Sequence, residues 1–267
     1  MPALAKPPVI ALITDMGHSD WFTGTMKGVV LSVCPNAQLV DICHGVQKQS
    51  VQEAAFMLRV SYSFFPPGTI FLCVVDPEVG TMRQAIVVRN ERHYFITPNN
   101  GTLTYVQMES KEWEARAIEN RELRLRNQSG TFHGRDIFAP AAAHLAAGRP
   151  FEEFGPPVQN IVMLPQIKEV TRRERSMDGC IIYIDSYGNL LTNVTRELIP
   201  DGVDHARLRL KFRGHLVQGI APHYAAVPIN HPLMYWGSSG LLEIAINYGS
   251  AARKWQARIN EWFELEW

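Results

Sequence analysis

Cysteine is scarce and no sign of charge predominates: the 267 residues hold four Cys, and 26 Lys and Arg stand against 26 Asp and Glu. Cys34, Cys43, Cys73 and Cys180 are widely spaced and lie mostly inside apolar segments. They read as small buried hydrophobes, not as zinc ligands or a disulfide framework. Without a basic excess there is no electrostatic footprint for nucleic acid. Long apolar runs are also missing: Ile70 to Val75 is the longest, six residues, where a membrane-spanning helix takes roughly 20. The opening MPALAKPPV has no apolar h-region, so no secretory signal is expected and the expected compartment is the cytoplasm. No G-x-G-x-x-G follows the first apolar run, since MGHSD holds one glycine, and no Walker-type loop occurs, which argues against dinucleotide and P-loop sites. Internal repeats and low-complexity tracts are absent.

With 46% apolar and 19% charged residues the composition is globular. A chain of this length can bury roughly 73% of its unfolded surface, enough for one large domain or two smaller ones. Val9 to Ile13 reads as a strand ending at Thr14-Asp15, followed by a helix with Phe22, Met26, Val29, Val30 and Val33 on one face. Ser19 or Asp20 is placed to cap that helix, and Gly24 and Gly28 would let another backbone approach closely. Ala37 to Cys43 is a second strand, and Val51, Ala54, Ala55, Leu58 and Tyr62 mark a second helix. Ile70 to Val75, apolar throughout, suits a strand covered on both faces of a parallel sheet. A hairpin of Ala85 to Arg89 and His93 to Thr97 follows, then the Pro98-Asn99-Asn100-Gly101 turn and a helix over Phe138 to Ala147.

This order predicts an α/β fold over residues 1–167 with a mainly parallel central sheet, whose ligands gather beyond the carboxyl ends of the strands. A charged segment with Pro165, Lys168, Glu169, Arg172, Arg173, Glu174 and Arg175 predicts a linker over 168–177. In residues 178–267, Cys180 to Ile184, Leu190 to Val194, Ala206 to Phe212, Leu233 to Trp236 and Leu241 to Ile246 read as strands of a small all-β domain.

Asp15 and Asp76 follow the first and third strands. A carboxylate at Asp15 could accept both hydroxyls of a ribose, though a helix-capping or turn aspartate fits the position equally well. Asp76 with Arg83 seven residues on is either an ordinary structural ion pair or part of a site. His133 in TFHGRD has the same two readings. Together the carboxylate, arginine and histidine could hold and polarise one water, whose free pKa is near 15.7.

The segments ITDMGHSD, VVDPEVGT, PNNGTLTYV, FHGRDIFAPAAAHLA, YIDSYGNLLTNV and GSSGLLEIAIN span nearly the whole chain. They resemble those of the S-adenosylmethionine hydroxide adenosyltransferases, relatives of the bacterial fluorinase and chlorinase. The resemblance implies hydrolysis of S-adenosylmethionine to adenosine and methionine by water attack at ribose C5′, with no metal and no cofactor. It implies an N-terminal α/β domain, a C-terminal β-barrel domain, and a homotrimer with sites between subunits. It puts the water-handling triad at Asp76, Arg83 and His133, where the halogenases carry Tyr at position 76 and Tyr-Ser at 133–134. It also implies that Asp15 binds the ribose, Asn189 contacts the nucleoside and Asp185 stands near the methionine amine. Ser238 and Ser239 would donate to the methionine carboxylate or line the nucleoside pocket, although the halogenases have Arg at position 239. Tyr224 is a candidate for stacking on adenine. Glu243 and the Ile246 backbone could read the adenine edge, with a solvent-facing strand position the alternative for Glu243.

Three other functions compete: a halide-using adenosyltransferase, a metal-dependent hydrolase built on Asp15, Asp20, Asp76 and His133, and a non-catalytic S-adenosylmethionine or adenosine sensor. A carboxylate about 4 Å from a halide would repel it by roughly 4 kcal/mol at an effective dielectric of 20, which opposes the first. Neither nucleic acid nor membrane is expected as a partner.

Overall fold

A computed structural model describes residues 6–164 and 170–267. Met1 to Ala5 of the opening segment lie outside the described residues. So do Pro165, Lys168 and Glu169 of the expected linker and the expected boundary at 167/168. The chain divides into two compact units, Met1–Leu164 and Pro165–Trp267.

The first unit holds β1 (Val9–Thr14), α1 (Phe22–Val33), β2 (Gln38–Cys43), α2 (Val51–Ser61), β3 (Ile70–Val74), β4 (Ala85–Asn90), β5 (Tyr94–Pro98), α3 (Thr104–Glu109), β6 (Trp113–Ala117) and α4 (Ala139–Ala146). Its sheet runs β2-β1-β3-β5-β4-β6. The first four strands are mutually parallel, and β4 runs antiparallel to both neighbours. Side chains alternate across the sheet, as the two-residue period requires. Ile10, Leu12, Ile70 and Leu72 face α1 and α4, while Ala11, Ile13, Phe71 and Cys73 face α2 and α3. This double covering explains why β3 is apolar at every position and β1 at every position before its last residue, Thr14. From β1 the chain moves to one side for β2 and returns to the other for β3. The β1/β3 crevice is therefore the topological switch point, where α/β sheets bind ligands.

The second unit holds β7 (Thr171–Arg172), β8 (Ser176–Ile184), β9 (Leu190–Thr195), β10 (Arg209–Phe212), β11 (His215–Gln218), β12 (Pro232–Trp236), β13 (Leu241–Ile246), α5 (Ala251–Trp255) and β14 (Trp262–Glu266). Its antiparallel sheet runs β11-β10-β14-β8-β9-β13-β12, with β7 on β8. A bridge between Ile220, just past β11, and Met234 in β12 draws the two ends together, giving a nearly closed barrel around Met177, Leu190, Leu210, Met234, Ile244 and Phe263. The expected α/β unit and barrel-like β unit are both present.

Several local expectations are corrected. The α1 N-cap is Trp21, with no side-chain cap bond, so neither Ser19 nor Asp20 serves. Thr23 Oγ1 instead donates to Gly17 O at 3.1 Å, tying the helix to the loop before it. A Cβ at Gly24 or Gly28 would meet nothing within 4 Å, so among the described residues no backbone approaches there. Thr171, Arg172, Ser176 and Met177, read as linker, pair in the β sheet. The strand expected from Ala206 begins at Arg209. The reading passed over α3, β6, β7, β11, α5 and β14: they are short or lie on polar edges, where burial leaves little pattern in sequence. No helix among the described residues is long and apolar enough to cross a membrane.

Candidate functional site

Asp15 and Asp76 stand just past the carboxyl ends of the adjacent parallel strands β1 and β3, where Thr14 is in register with Val74. Arg83 Nε donates to both Asp76 oxygens at 3.0 Å, and Arg83 Nη2 donates to Asp76 Oδ2 at 2.5 Å. Both side chains are nearly buried, 5% and 7% exposed. The Arg83 guanidinium carbon lies 5.1 Å from the Phe138 ring centroid, which supports it from below. Nη2 also lies 2.7 Å from His133 Nδ1. A guanidinium can only donate, so Nδ1 is the acceptor and a neutral His133 carries its proton on Nε2. Burial, and then the Arg83 charge, hold His133 below the ordinary histidine range.

His133 enters through irregular backbone, a single π-helical turn over Gly134–Phe138 that runs into α4. Such turns recur at functional sites. The fully buried Asp136 anchors this turn, accepting from Ser129 N at 2.6 Å and from Arg135 Nε at 2.6 Å. A Cβ on Gly134 would lie 3.0 Å from both Met16 Cε and Met26 Sδ. The His133 loop therefore packs against the loop carrying Asp15. Asp15 Oδ2 accepts from Gln49 N at 2.8 Å, and Lys48 Nζ donates to Asp15 O at 2.5 Å, so the loops after β1 and β2 are joined. Behind them the fully buried His44 bonds Thr14 Oγ1 at 2.9 Å and lies 3.0 Å from Asp41.

The second unit gathers another set. Asn189 Nδ2 donates to Asp185 Oδ2 at 2.8 Å and to Tyr224 Oη at 3.1 Å. Tyr224 Oη lies 2.6 Å from Tyr235 Oη, and Tyr235 donates to Glu243 Oε2. Ser239 Oγ donates to Glu243 Oε1 at 3.3 Å. Asn189, Tyr224 and Ile246 line a cavity of about 710 Å³, with Tyr187, Tyr248 and Arg253 among its other walls. Tyr187 and Tyr248 are 79% and 87% exposed, two aromatic faces at its mouth.

Both units match one family over most of their length. Residues 10–155 match the SAM hydroxide adenosyltransferase N-terminal domain, and residues 179–264 match the SAM hydroxide adenosyltransferase C-terminal domain. The chain belongs to the SAM hydroxide adenosyltransferase family. A relative from Thermus thermophilus, named (R)-S-adenosyl-L-methionine hydrolase, is 32% identical over 91% of this chain and 93% of its own. The fluorinase of an Actinoplanes species is also 32% identical, over 92% and 93%. Among solved structures, that of an uncharacterized conserved protein from Thermotoga maritima matches with a TM-score of 0.91 and 35% identity, covering 97% of this chain and all of that one.

Within this member of the family, Asp76, Arg83 and His133 form one bonded cluster. Asp185, Asn189, Tyr224, Ser239 and Glu243 form another. Asp185 holds the turn before β9, accepting from the backbone of Tyr187 at 3.0 Å and of Asn189 at 2.8 Å. Glu243 is 7% exposed, which overturns the solvent-facing alternative. Burial pushes its carboxyl up, against the opposing effect of the Tyr235 and Ser239 hydroxyls. Ser238 is exposed on the turn after β12. Asp15, Asp20, Asp76 and His133 are not drawn into a metal site: among the described residues no group of three or more His, Cys, Asp or Glu could hold an ion. Sequence reasoning missed Tyr187, Tyr235, Tyr248 and Arg253. Tyr187 was within reach, since an aromatic two residues before Asn189 on a turn signal has no core to enter.

Proposed function

We propose that this protein hydrolyses S-adenosyl-L-methionine to adenosine and L-methionine, without metal or cofactor. The observation that carries the reading is the buried Asp76–Arg83 pair bonded on to His133 at the sheet's switch point. Water oxygen attacks ribose C5′, the C5′–S bond breaks with its electron pair going to sulfur, and methionine leaves as a neutral thioether. Such a leaving group needs no general acid, so only the water requires help.

His133 Nδ1 is occupied by Arg83, and its Nε2 carries a proton. Asp76 is then the acceptor for the water proton, since among the described residues its Oδ1 accepts only from Arg83 Nε and keeps a lone pair. Arg83, permanently charged, stabilises developing hydroxide character. His133 orients the arginine and offers one N–H to the nucleophile. Attack opposite sulfur makes placement in a water-poor site the main source of rate.

The tyrosine-walled cavity suits a flat base between aromatic faces. Asp15 is assigned to the ribose, Asp185 to the methionine amine and Ser238 and Ser239 to its carboxylate. The homotrimer with inter-subunit sites belongs to the same proposal, and its mass in solution tests it. The deciding assay is product analysis with each sulfonium epimer, because the relatives' name specifies the R form. Adenosine and methionine in equal amounts, undiminished by exhaustive chelation, are expected. Asp76→Ala should lower turnover by about 10²–10⁴-fold, the usual worth of a positioned proton acceptor. Unchanged turnover in that variant refutes the assignment, and adenosine binding without cleavage favours a sensor.

A further inference from the structure

Asp136 grips a neighbouring segment at two points. Pro140 stands four residues beyond it and has no N–H, so the α-helical bond back to the Asp136 carbonyl cannot form. That carbonyl accepts from Leu125 N at 2.9 Å instead. The fully buried side chain accepts from Ser129 N at 2.6 Å through Oδ2, while Arg135 Nε, 2.6 Å from Oδ1, matches its charge. Residues 125–129 are thereby tied to the π-helical turn that follows His133.

The same segment meets the loop that carries Asp76 and Arg83. Gly80 lies between those two residues with φ +83°, and a Cβ there would come 2.6 Å from Gly130 O. A side chain at position 80 has neither the space nor a favourable backbone conformation, so glycine lets the two backbones touch. These contacts close a circuit. Asp136 holds Ser129, the adjoining Gly130 seats Gly80, and Gly80 shares a loop with Arg83, whose Nη2 lies 2.7 Å from His133 Nδ1. His133 precedes Asp136 by three residues. The Arg83–His133 bond joins side chains fifty residues apart in sequence, and how their two loops are seated sets its length.

We propose that Asp136 is a positioning residue for the nucleophile site: it clamps segment 125–130 between the Asp76 and Arg83 loop and the His133 turn, and so keeps Arg83 on His133 Nδ1. This rests on the proposed reading of Asp76, Arg83 and His133 as the groups that handle water. With the clamp released, Nδ1 loses its donor and Nε2–H is no longer aimed at the nucleophile. A misplacement of about 1 Å in a reacting site costs on the order of 10²-fold in rate.

The His133 titration, followed at its ring nitrogens by NMR, separates position from charge. Burial and then Arg83 hold this histidine down, Asp76 and Asp136 pull it up, and Arg124 pushes it down. Loss of the Asp136 charge alone would therefore lower the His133 pKa further. Asp136→Ala, which leaves Ser129 N without its acceptor, should raise it toward about 6.5, because a ring released from Arg83 escapes that charge and gains water. Asp136→Asn lacks the charge but keeps an acceptor for Ser129 N, so His133 should stay at or below its wild-type value. Gly80→Ala disturbs the circuit from the other side with Asp136 in place, and should act like Asp136→Ala even if that variant does not fold. In S-adenosylmethionine cleavage, Asp136→Ala and Gly80→Ala should lower kcat by about 10–100-fold with KM within about threefold of wild type, and Asp136→Asn should recover most of the loss. A His133 pKa unmoved or lowered in the folded alanine variants, or an Asp136→Asn protein that matches Asp136→Ala, overturns the clamp. A wild type that does not cleave S-adenosylmethionine overturns the proposed function instead, and the His133 titrations still judge the clamp.

Discussion

His93→Leu should make the protein more resistant to acid, and the expected size follows from the surroundings of this ring. His93 is 1% exposed and packs edge-on against Phe71 at 5.3 Å and Tyr62 at 6.1 Å. Among the described residues neither ring nitrogen has a hydrogen-bond partner. Burial first, and then the charge of Arg92, push its pKa down to about 4. The ordinary value in an unfolded chain is about 6.5. Between those values the unfolded chain binds a proton that the folded one refuses, so stability falls as pH drops from about 6.5 toward 4. At about 1.36 kcal/mol per unit, the loss from pH 7.5 to 4.5 is roughly 2.5 kcal/mol. Leucine removes two unsatisfied nitrogens at little change in volume, so the variant should equal or exceed wild type at pH 7.5. The measurement is urea unfolding of both proteins at the two pH values, in which other titrating groups cancel in the difference. A gap between variant and wild type that widens by roughly 2.5 kcal/mol on acidification supports the account. Parallel stability curves would show that the ring reaches water or a partner in solution, and would refute it.

For His133 the pKa is lowered, so the neutral form persists below the ordinary histidine range; the acid limb of turnover should be centred below about pH 6.5, and one centred above it contradicts the Arg83–His133 bond. Gly179 lies in β8 against the ring of Phe263, where a Cβ would approach Phe263 Cζ to 2.3 Å. Phe263 is 3% exposed and cannot swing into solvent without loss, so Gly179→Ala should destabilise the β unit by about 1–3 kcal/mol in chemical denaturation; an unshifted midpoint argues otherwise.

Where burial on both faces dictates residue type, the sequence was readable: β3, and β1 up to Thr14, are apolar because helices cover both sides, and the strand-end positions of Asp15 and Asp76 follow directly. The hairpin was also legible, since Asn90 Oδ1 accepts from Arg92 N at 3.0 Å and from His93 N at 2.8 Å, the local bonding that makes Asn a turn residue. What could not be read is whatever depends on distant partners. Tyr235 and Glu243 alternate along β12 and β13 like any strand residues, and their pairing arises from register across the two strands. The α1 start misled because Ser19 and Asp20 are good caps by type, whereas the helix begins only at Phe22, with Trp21 at its N-cap.

Identity cannot choose between water and halide, because the hydrolase and fluorinase relatives match equally well at 32%. On the proposed function, charge at the nucleophile position does. Arg83 gives Nε and Nη2 to Asp76 and shares Nη2 with His133, so its charge is matched within the cluster and an approaching anion meets a neutral assembly. A halide there would also stand near the carboxylate, at a cost of roughly 4 kcal/mol for 4 Å at an effective dielectric of 20, largely cancelling what the arginine offers. Water incurs no such cost. Removing the carboxylate should reverse this: in Asp76→Ala a guanidinium only 5% exposed loses its counter-charge, and an unpaired buried charge recruits an anion. Chloride-35 line broadening should therefore be negligible for the wild-type protein and substantial for Asp76→Ala, saturating with added chloride. With S-adenosylmethionine and chloride together, the wild type should still release adenosine. Accumulation of 5′-chloro-5′-deoxyadenosine by the wild type, or equal broadening in both proteins, would mean that Asp76 does not keep halide out.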